Sequence, residues 1–466
     1  MQKDGLYYIE DEDPVYGWME IDDNNELQPF NESTVSAIHQ QYQTAQSIGN
    51  LERCPIAYKS DDSETPWLSK DDPAENFFMQ LYGEHLQRKN SCPENLPYYK
   101  INQDLLFSIG SASNELHRMF LEATGRVIQT DELLTRLAIP QVFWKRIRQS
   151  WAEEQDSTIA GRFDFAFDGK QLKVFEYNAD STSALFECAI IQRKWAQVVK
   201  LPSTFMSAFR LHHGLVVSWK RMHITTLVHI MTDDDGDEHQ TALYMQNVFK
   251  EAGIESKLCV MTDQFYWKGT NIIDSDGVPV KMVWKLWMWE SVFEDYAEAI
   301  KERGLEGWKP VDGEHPRLSD ILLHDHIKVI EPLWKVITSN KALLPVLWAT
   351  HPNHPLLLRS EWTLTDELKQ ASFVKKPIVG RYGHNVTLYD NRDHSVINET
   401  TDKFSSRNSI YQQMFPLMDF DGYHPVIGSW IIHGHFAGFC ILEDQKLITD
   451  ADSPVTACCI VWREDK

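Results

Sequence analysis

The chain has 466 residues, 42% hydrophobic and 12% aromatic, with a formal net charge of −23. That is apolar material for about two to four domains or one large composite fold. The acidity argues against a nucleic-acid groove or an anionic membrane surface, and it permits a cationic small substrate, a polyamine for example.

Seven cysteines are scattered without a Cys-x-x-Cys pair, which fits a reducing compartment. The first residues, Met1 to Leu6, lack the apolar run of a secretory signal, and no stretch approaches the ~18 apolar residues of a membrane span. A cytoplasmic protein is expected, with no membrane partner.

Residues 1 to about 100 are acidic and punctuated, as in Asp11-Glu12-Asp13-Pro14 and Asp61-Asp62-Ser63-Glu64. They read as an N-terminal extension, partly structured. From Ser111 to Thr124 the pattern is helical: Leu116, Met119, Phe120 and Ala123 share a face, and Gly125 offers a stop. Pro140 opens a second helix carrying Phe143, Trp144, Ile147 and Trp151.

Next come two alternating arms, Gly161 to Phe167 and Lys173 to Ser183, around Asp168-Gly169. They predict a β-hairpin. Phe163, Phe165 and Phe167 share one face, with Arg162 and Asp164 on the other. In the second arm Glu176 and Asn178 share a face, and Phe175 and Tyr177 oppose them. Two readings stand. The polar face is simply solvated, or Asp164, Glu176 and Asn178 are hard oxygen ligands for Mg²⁺, with phosphate completing its shell. Register decides: a two-residue turn sets Asp164 against Lys173, whereas an odd loop brings it onto the face of Glu176 and Asn178. Ser181-Thr182-Ser183 then offers N-cap residues for a helix through Leu185 and Ile190, an ordinary cap or an anion site.

Ile224 to Ile230 reads as a buried strand, followed by the acidic loop Asp233 to Glu238, a helix from His239 ending at Gly253, and a strand from Ile254 to Met261. This is a βαβ unit, whose ligands bind beyond the strands' carboxyl ends. The acidic loop is either solvated or a site for an ammonium group. Trp284, Trp287 and Trp289 read as packing. Val374 to Val379 is a short strand running into Gly380-x-x-Gly383, a backbone able to close over phosphates. The tail, Ile431 to Ile460, reads as short strands with Gly turns. His433-Gly434-His435 lacks a third ligand of suitable type, so no zinc site is expected.

Gly161-Arg162-Phe163-Asp164-Phe165, Phe175-Glu176-Tyr177-Asn178-Ala179-Asp180-Ser181, Trp284-Lys285 with Trp289-Glu290, Ser339-Asn340-Lys341-Ala342 and Lys376-Pro377-Ile378-Val379-Gly380-Arg381 occur in this order. Together they resemble the synthetase domain of the bifunctional glutathionylspermidine synthetase/amidase family, from roughly residue 100 to the C-terminus. The resemblance implies an α/β, ATP-grasp fold with a pre-ATP-grasp-like βαβ region over 101–466. It implies an ATP-dependent ligase that joins the glycine carboxylate of glutathione, or a similar peptide acid, to a polyamine such as spermidine through an acyl phosphate. The region before residue 100 is too short for the family's papain-like amidase, so a synthetase without an amidase is expected.

By the same resemblance, Arg162 stabilises the transferring phosphoryl group, and Asp164, Glu176 and Asn178 hold two Mg²⁺ ions. Lys341 and Lys376 grip ATP, Tyr382 and Gly383 belong to a covering loop, and Gln412, Gln413 and Met414 lie on the adenine side. Ser181 and Ser183, with Ser291, bind the glutathione end. Asp237 and Glu238 face the glutathione amine or the polyamine. His424-Pro425-Val426 stands where the family has a Gln near the ribose. The alternatives are a catalytically silent nucleotide- or polyamine-binding relative, or a ligase for another acid and amine.

Overall fold

The structure, a computed structural model, describes residues 6–7, 19–21, 27–29, 49–56, 68–82, 96–155, 157–198, 206–304, 307–401 and 407–461. It is a mixed α/β molecule, as the sequence predicts. Its centre is a five-stranded antiparallel sheet in the order Val455–Thr456, His435–Asp444, His424–Ile432, Ala160–Phe167, Leu172–Asn178. The helix Gln103–Ile128 covers one face. Phe163, Phe165 and Phe167 point under it and are buried, with Phe163 stacked on Tyr177 at 3.9 Å and Phe120 of the helix edge-on to both. Burying this aromatic face, at about 1.5–3 kcal/mol per side chain, leaves Arg162 and Asp164 on the opposite face. Gly161 allows the close packing, since a Cβ there would sit 2.9 Å from the Tyr177 ring.

The hairpin register is reached by an unexpected route. Phe167 pairs with Leu172, so the turn holds residues 168–171, and its backbone is tied to Asp168 through Lys170 N and Gln171 N. Continued unbroken, that pairing would set Asp164 against Phe175. A bulge between Asp164 and Phe165 makes Phe175 the extra residue. Asp164 then pairs with Glu176, and Arg162 with Asn178. A bulge changes strand parity as an odd loop would.

A second sheet is parallel, in the order Lys328–Ile330, Met282–Lys285, Val228–Thr232, Ser256–Val260. The helix Gly236–Ala252 connects the last two, giving the expected βαβ unit. It begins earlier than the periodicity predicts. Asp235 is its N-cap, so Asp237 and Glu238 lie in its first turn and not in a loop. A third sheet is antiparallel, in the order Ser360–Glu361, Ser409–Gln413, Phe373–Pro377, Thr387–Tyr389, Val396–Glu399.

Other expectations are revised. The first long helix runs Gln103–Ile128 through Gly125, whose missing side chain makes room for the Trp151 ring. Asn102 caps it, its side chain accepting from Leu105 N. After the hairpin, helical residues begin only at Leu185, so Ala184, at φ 68°, holds the cap position assigned to the serines. The tail forms two long strands joined through His433-Gly434. A boundary at residue 100 falls inside the strand Leu96–Asn102, which pairs with Cys458–Val461 and Leu51–Ile56. Of the acidic N-terminal stretches, Asp11 to Pro14 and Asp61 to Glu64 lie outside the described residues. No helix among the described residues is long and apolar enough to cross a membrane.

Candidate active site

The bulged hairpin forms one wall of a cleft. Arg162, Asp164, Glu176 and Asn178 line it together with Ser181, Ser183, Lys341, Tyr382 and Gly383. Arg162 grips Asp164 with two bonds, Nε to Oδ1 at 2.7 Å and Nη2 to Oδ2 at 3.1 Å, and its Nη1 donates to the Ser183 carbonyl at 2.8 Å. Asn178 Nδ2 donates to Asp164 Oδ2 at 2.9 Å. Glu176 pairs with Lys341 at 3.3 Å, and Lys341 also donates to the Gly380 carbonyl at 2.9 Å. Asn340 fixes the turn carrying Lys341, donating to the Leu137 carbonyl and accepting from Ala342 N.

Burial pushes Asp164 above the usual carboxylate range, against the pull of Arg162. Burial opposes the charge of Glu176 too, yet Lys341 and Lys376 hold it below its ordinary value. Lys376 stands just behind this wall. It is buried, and Nζ donates to the carbonyl of Phe175 at 3.1 Å, the residue that the bulge leaves over. Burial lowers its ammonium to about 8, with Glu176 opposing. Such a cation gains most from an incoming phosphate.

The donor set fits Mg²⁺. Two carboxylates and an amide oxygen are hard ligands on neighbouring strands, and Mg²⁺ is commonly held by one or two carboxylates plus substrate phosphates. Among the described residues no group of three or more His, Cys, Asp or Glu is placed to hold a metal ion; the set here is two carboxylates with the Asn178 amide.

The opposite wall is the segment Gly380 to Gly383. Tyr382 and Gly383 both have positive φ, 51° and 65°. A Cβ on Gly383 would meet the Thr449 carbonyl at 2.4 Å, so only glycine lets the loop lie against the tail. Behind it Val374, Leu388 and Ile448 form a small apolar cluster, with Met414 packed on its edge. Gln412 is buried and donates to Ser360 Oγ at 3.3 Å, whereas Gln413 is exposed. Gln412, Gln413, Met414 and Lys376 thus flank the cleft without lining it.

Ser181 and Ser183 line the cleft, and Ser181 Oγ is buried without a partner. Their loop is anchored from below. Asp180 accepts from Lys285 Nζ at 2.5 Å and from Trp289 N at 3.1 Å, and Lys285 also donates to the Trp287 carbonyl. The Trp-Lys and Trp-Glu motifs therefore support the serine wall. Ser291 does not line the cleft, while its neighbour Glu290 does. Asp237 and Glu238 also lie outside the lining. Glu238 is ion-paired with Arg381, which donates to the Ser181 carbonyl at 3.0 Å, and burial raises its carboxyl to about 7 despite that arginine. Sequence reasoning did not single out Arg381, Asp180, Lys285, Glu290 or Asp450. The first four occur within the quoted motifs, but the ionic partners of Arg381, Asp180 and Lys285 lie far away in sequence.

Residues 79–461 match the family described as glutathionylspermidine synthase preATP-grasp. A trypanothione synthetase of Crithidia fasciculata is 41% identical over 407 residues, 86% of this chain and 62% of that one. A bifunctional glutathionylspermidine synthetase/amidase of Escherichia coli is 35% identical over 400 residues, 85% of this chain and 63% of that one. A glutathionylspermidine synthase of Crithidia fasciculata is 27% identical over 521 residues, 97% of this chain and 70% of that one. The chain thus spans under two thirds of the length of the first two relatives. With most of its length matched to one family, and with that family's motifs gathered on one cleft, the chain belongs to the glutathionylspermidine synthase preATP-grasp family.

Proposed function

We propose that this chain is an ATP-dependent carboxylate–amine ligase of the ATP-grasp kind, joining the glycine carboxylate of glutathione, or a similar peptide acid, to a polyamine such as spermidine. The observation that carries this reading is the convergence of Arg162, Asp164, Glu176, Asn178 and Lys341 on one cleft. Making an amide from a carboxylate needs an activated acyl group. The γ-phosphoryl of ATP passes to the carboxylate oxygen, ADP leaves, the amine nitrogen attacks the acyl carbon, and phosphate departs. Phosphoryl transfer is mostly positioning and charge neutralisation.

Asp164, Glu176 and Asn178 would hold two Mg²⁺ ions, which neutralise phosphate charge when bound. Arg162, kept in place by Asp164 and the Ser183 carbonyl, faces the transferring phosphoryl group. Lys341 and Lys376 supply the remaining positive charge, and Tyr382-Gly383 covers the phosphates. The apolar cluster at Met414 offers a surface for adenine, with Gln412 and Gln413 beside it. Ser181, Ser183 and, less directly, Ser291 take the glutathione end. Asp237 and Glu238 serve that end from behind, with Glu238 holding Arg381 against the Ser181 carbonyl.

The test is ADP release on adding ATP, Mg²⁺, glutathione and spermidine, extended to other acids and amines. Release that needs both an acid and an amine supports the ligase. Nucleotide binding with no release under any pair would favour a silent relative. Release with another pair would keep the ligase and change its substrates.

A further inference from the structure

The ligase reading leaves one chemical task without a residue. A polyamine arrives as an ammonium, and the ammonium has no lone pair. Something in the cleft must bind that charge and remove a proton before the nitrogen can attack.

The carboxylates in and around the cleft divide by what holds them, apart from Glu187, which lines the cleft from the buried turn Glu187–Ile191. Asp164 is gripped by Arg162, Glu176 by Lys341, Asp180 by Lys285 and Asp450 by Lys446. Just outside the lining, Glu238 is held by Arg381. Glu290 is different. It lines the cleft, half-buried, in the first turn of the helix Trp289–Arg303, and no cation among the described residues is paired with it. The charged groups acting on it are Asp180, which faces it across the Trp289 N–H bond, and Lys285 and Arg407. Lys285 is spent on Asp180 and the Trp287 carbonyl, and Arg407 is paired with Glu294 at 2.5 Å. The same wall carries the buried Ser181 Oγ, which has no partner in the protein. Glu290 is met only by a backbone N–H at its own helix start, so its charge has no paired cation, and a carboxylate and a hydroxyl left in this way are costly unless a ligand satisfies them.

We infer that Glu290 receives the amine: its carboxylate binds the incoming ammonium and takes one proton as the nitrogen attacks. This inference rests on the ligase reading. The balance is simple. The ammonium gives one proton to the carboxylate, and the freed lone pair forms the C–N bond. The C–O bond to the phosphate breaks, and the departing phosphate carries off the second nitrogen proton as the amide forms.

The electrostatics suit the task. Burial and the nearby Asp180 push the Glu290 carboxyl up to about 7, the range in which a general base works best at neutral pH. The sign follows. The base form grows as pH rises through about 7, so kcat/KM for the amine rises over the same interval.

The test compares Glu290→Gln and Glu290→Asp with the native chain, using spermidine and hydroxylamine as nucleophiles. Hydroxylamine is largely neutral at pH 7 and needs no proton removed before attack. With Glu290→Gln, turnover with spermidine should fall about 10²-fold or more and its KM should rise, while hydroxylamine-dependent ADP release stays within about threefold. The KM values for ATP and glutathione should hold, and the pH limb near 7 should vanish. Glu290→Asp should restore part of the spermidine rate. The inference is overturned if spermidine turnover in Glu290→Gln matches the native chain. It is equally overturned if spermidine and hydroxylamine rates fall together, because that marks a structural role. A native chain that releases no ADP with any acid and amine defeats the ligase reading itself, and this inference with it.

Discussion

Two acidic stretches of this chain look alike in sequence and end in different chemistry. Asp164 and Glu176 sit on paired strands and line the cleft. Asp233 to Glu238 leads into a helix, and its carboxylates are largely used up locally. Asp233 accepts from Asp235 N at 3.1 Å, Asp235 accepts from Asp237 N and Glu238 N, and Glu238 pairs with Arg381. The difference lies in the backbone. At a helix start the first N–H groups have no carbonyl partner, and nearby side-chain oxygens satisfy them. In a strand the ladder already satisfies the N–H groups, so the carboxylates remain for side chains, metals and phosphates. Acidity alone does not mark a cation site; the backbone under it decides.

The comparison can be broken most severely at the hairpin. Asp164→Ala or Glu176→Ala should lower Mg²⁺-dependent ATP turnover by about 10²–10³-fold, measured as ADP formation; Asp164→Ala also leaves the buried Arg162 without its partner, so its melting temperature should fall as well. Full activity in either variant would remove the metal assignment. Next is the support below the serine wall. Lys285→Met leaves Asp180 charged and buried, which should cost about 3–5 kcal/mol in denaturant unfolding. A loss under 1 kcal/mol, on the order of an exposed pair, would mean that Asp180 finds water instead.

Lys376→Met should weaken nucleotide binding about tenfold or more in a titration, with the KM for the acceptor amine unchanged, because a buried phosphate would lose its counter-charge. Unchanged nucleotide affinity would place the phosphates elsewhere. The smallest effect belongs to the second acidic stretch. Asp235→Ala removes a helix cap and should cost about 1 kcal/mol of stability, with spermidine kinetics untouched. A selective rise in the spermidine KM for Asp235→Ala would erase the distinction drawn between the two stretches.

Much of the site was legible because strand alternation is a local signal. The faces of Arg162 and Asp164, and of Glu176 and Asn178, follow from it directly. Their meeting on one face was not legible, since it depends on a bulge at Phe175 that no local residue announces. The bond from Lys285 to Asp180 joins residues 105 apart, and sequence periodicity carries no such information. Gly125 reads as a helix stop by local propensity, but the helix runs on to Ile128, and the Trp151 ring packs beside the place a Cβ would take. The βαβ unit was legible in outline. Its helix begins at Gly236 because Asp235 caps it, and that shift moved two candidate ligands from a loop into a helical turn. Glu290 sat within a quoted motif, yet its importance rests on what does not pair with it, which only packing reveals.

The central claim is that Asp164, on this bulged hairpin, serves a phosphoryl transfer that ends in an amide. The most direct measurement follows ADP and amide together, with ATP, Mg²⁺, glutathione and spermidine, in the native chain and in Asp164→Asn. The account predicts one ADP per amide in the native chain and a loss of about 10²-fold or more in both products in the variant, which keeps an oxygen to accept from Arg162 and whose folding is checked by circular dichroism. ADP formed by the native chain without an acid, or amide formed by the variant at the native rate, would contradict it.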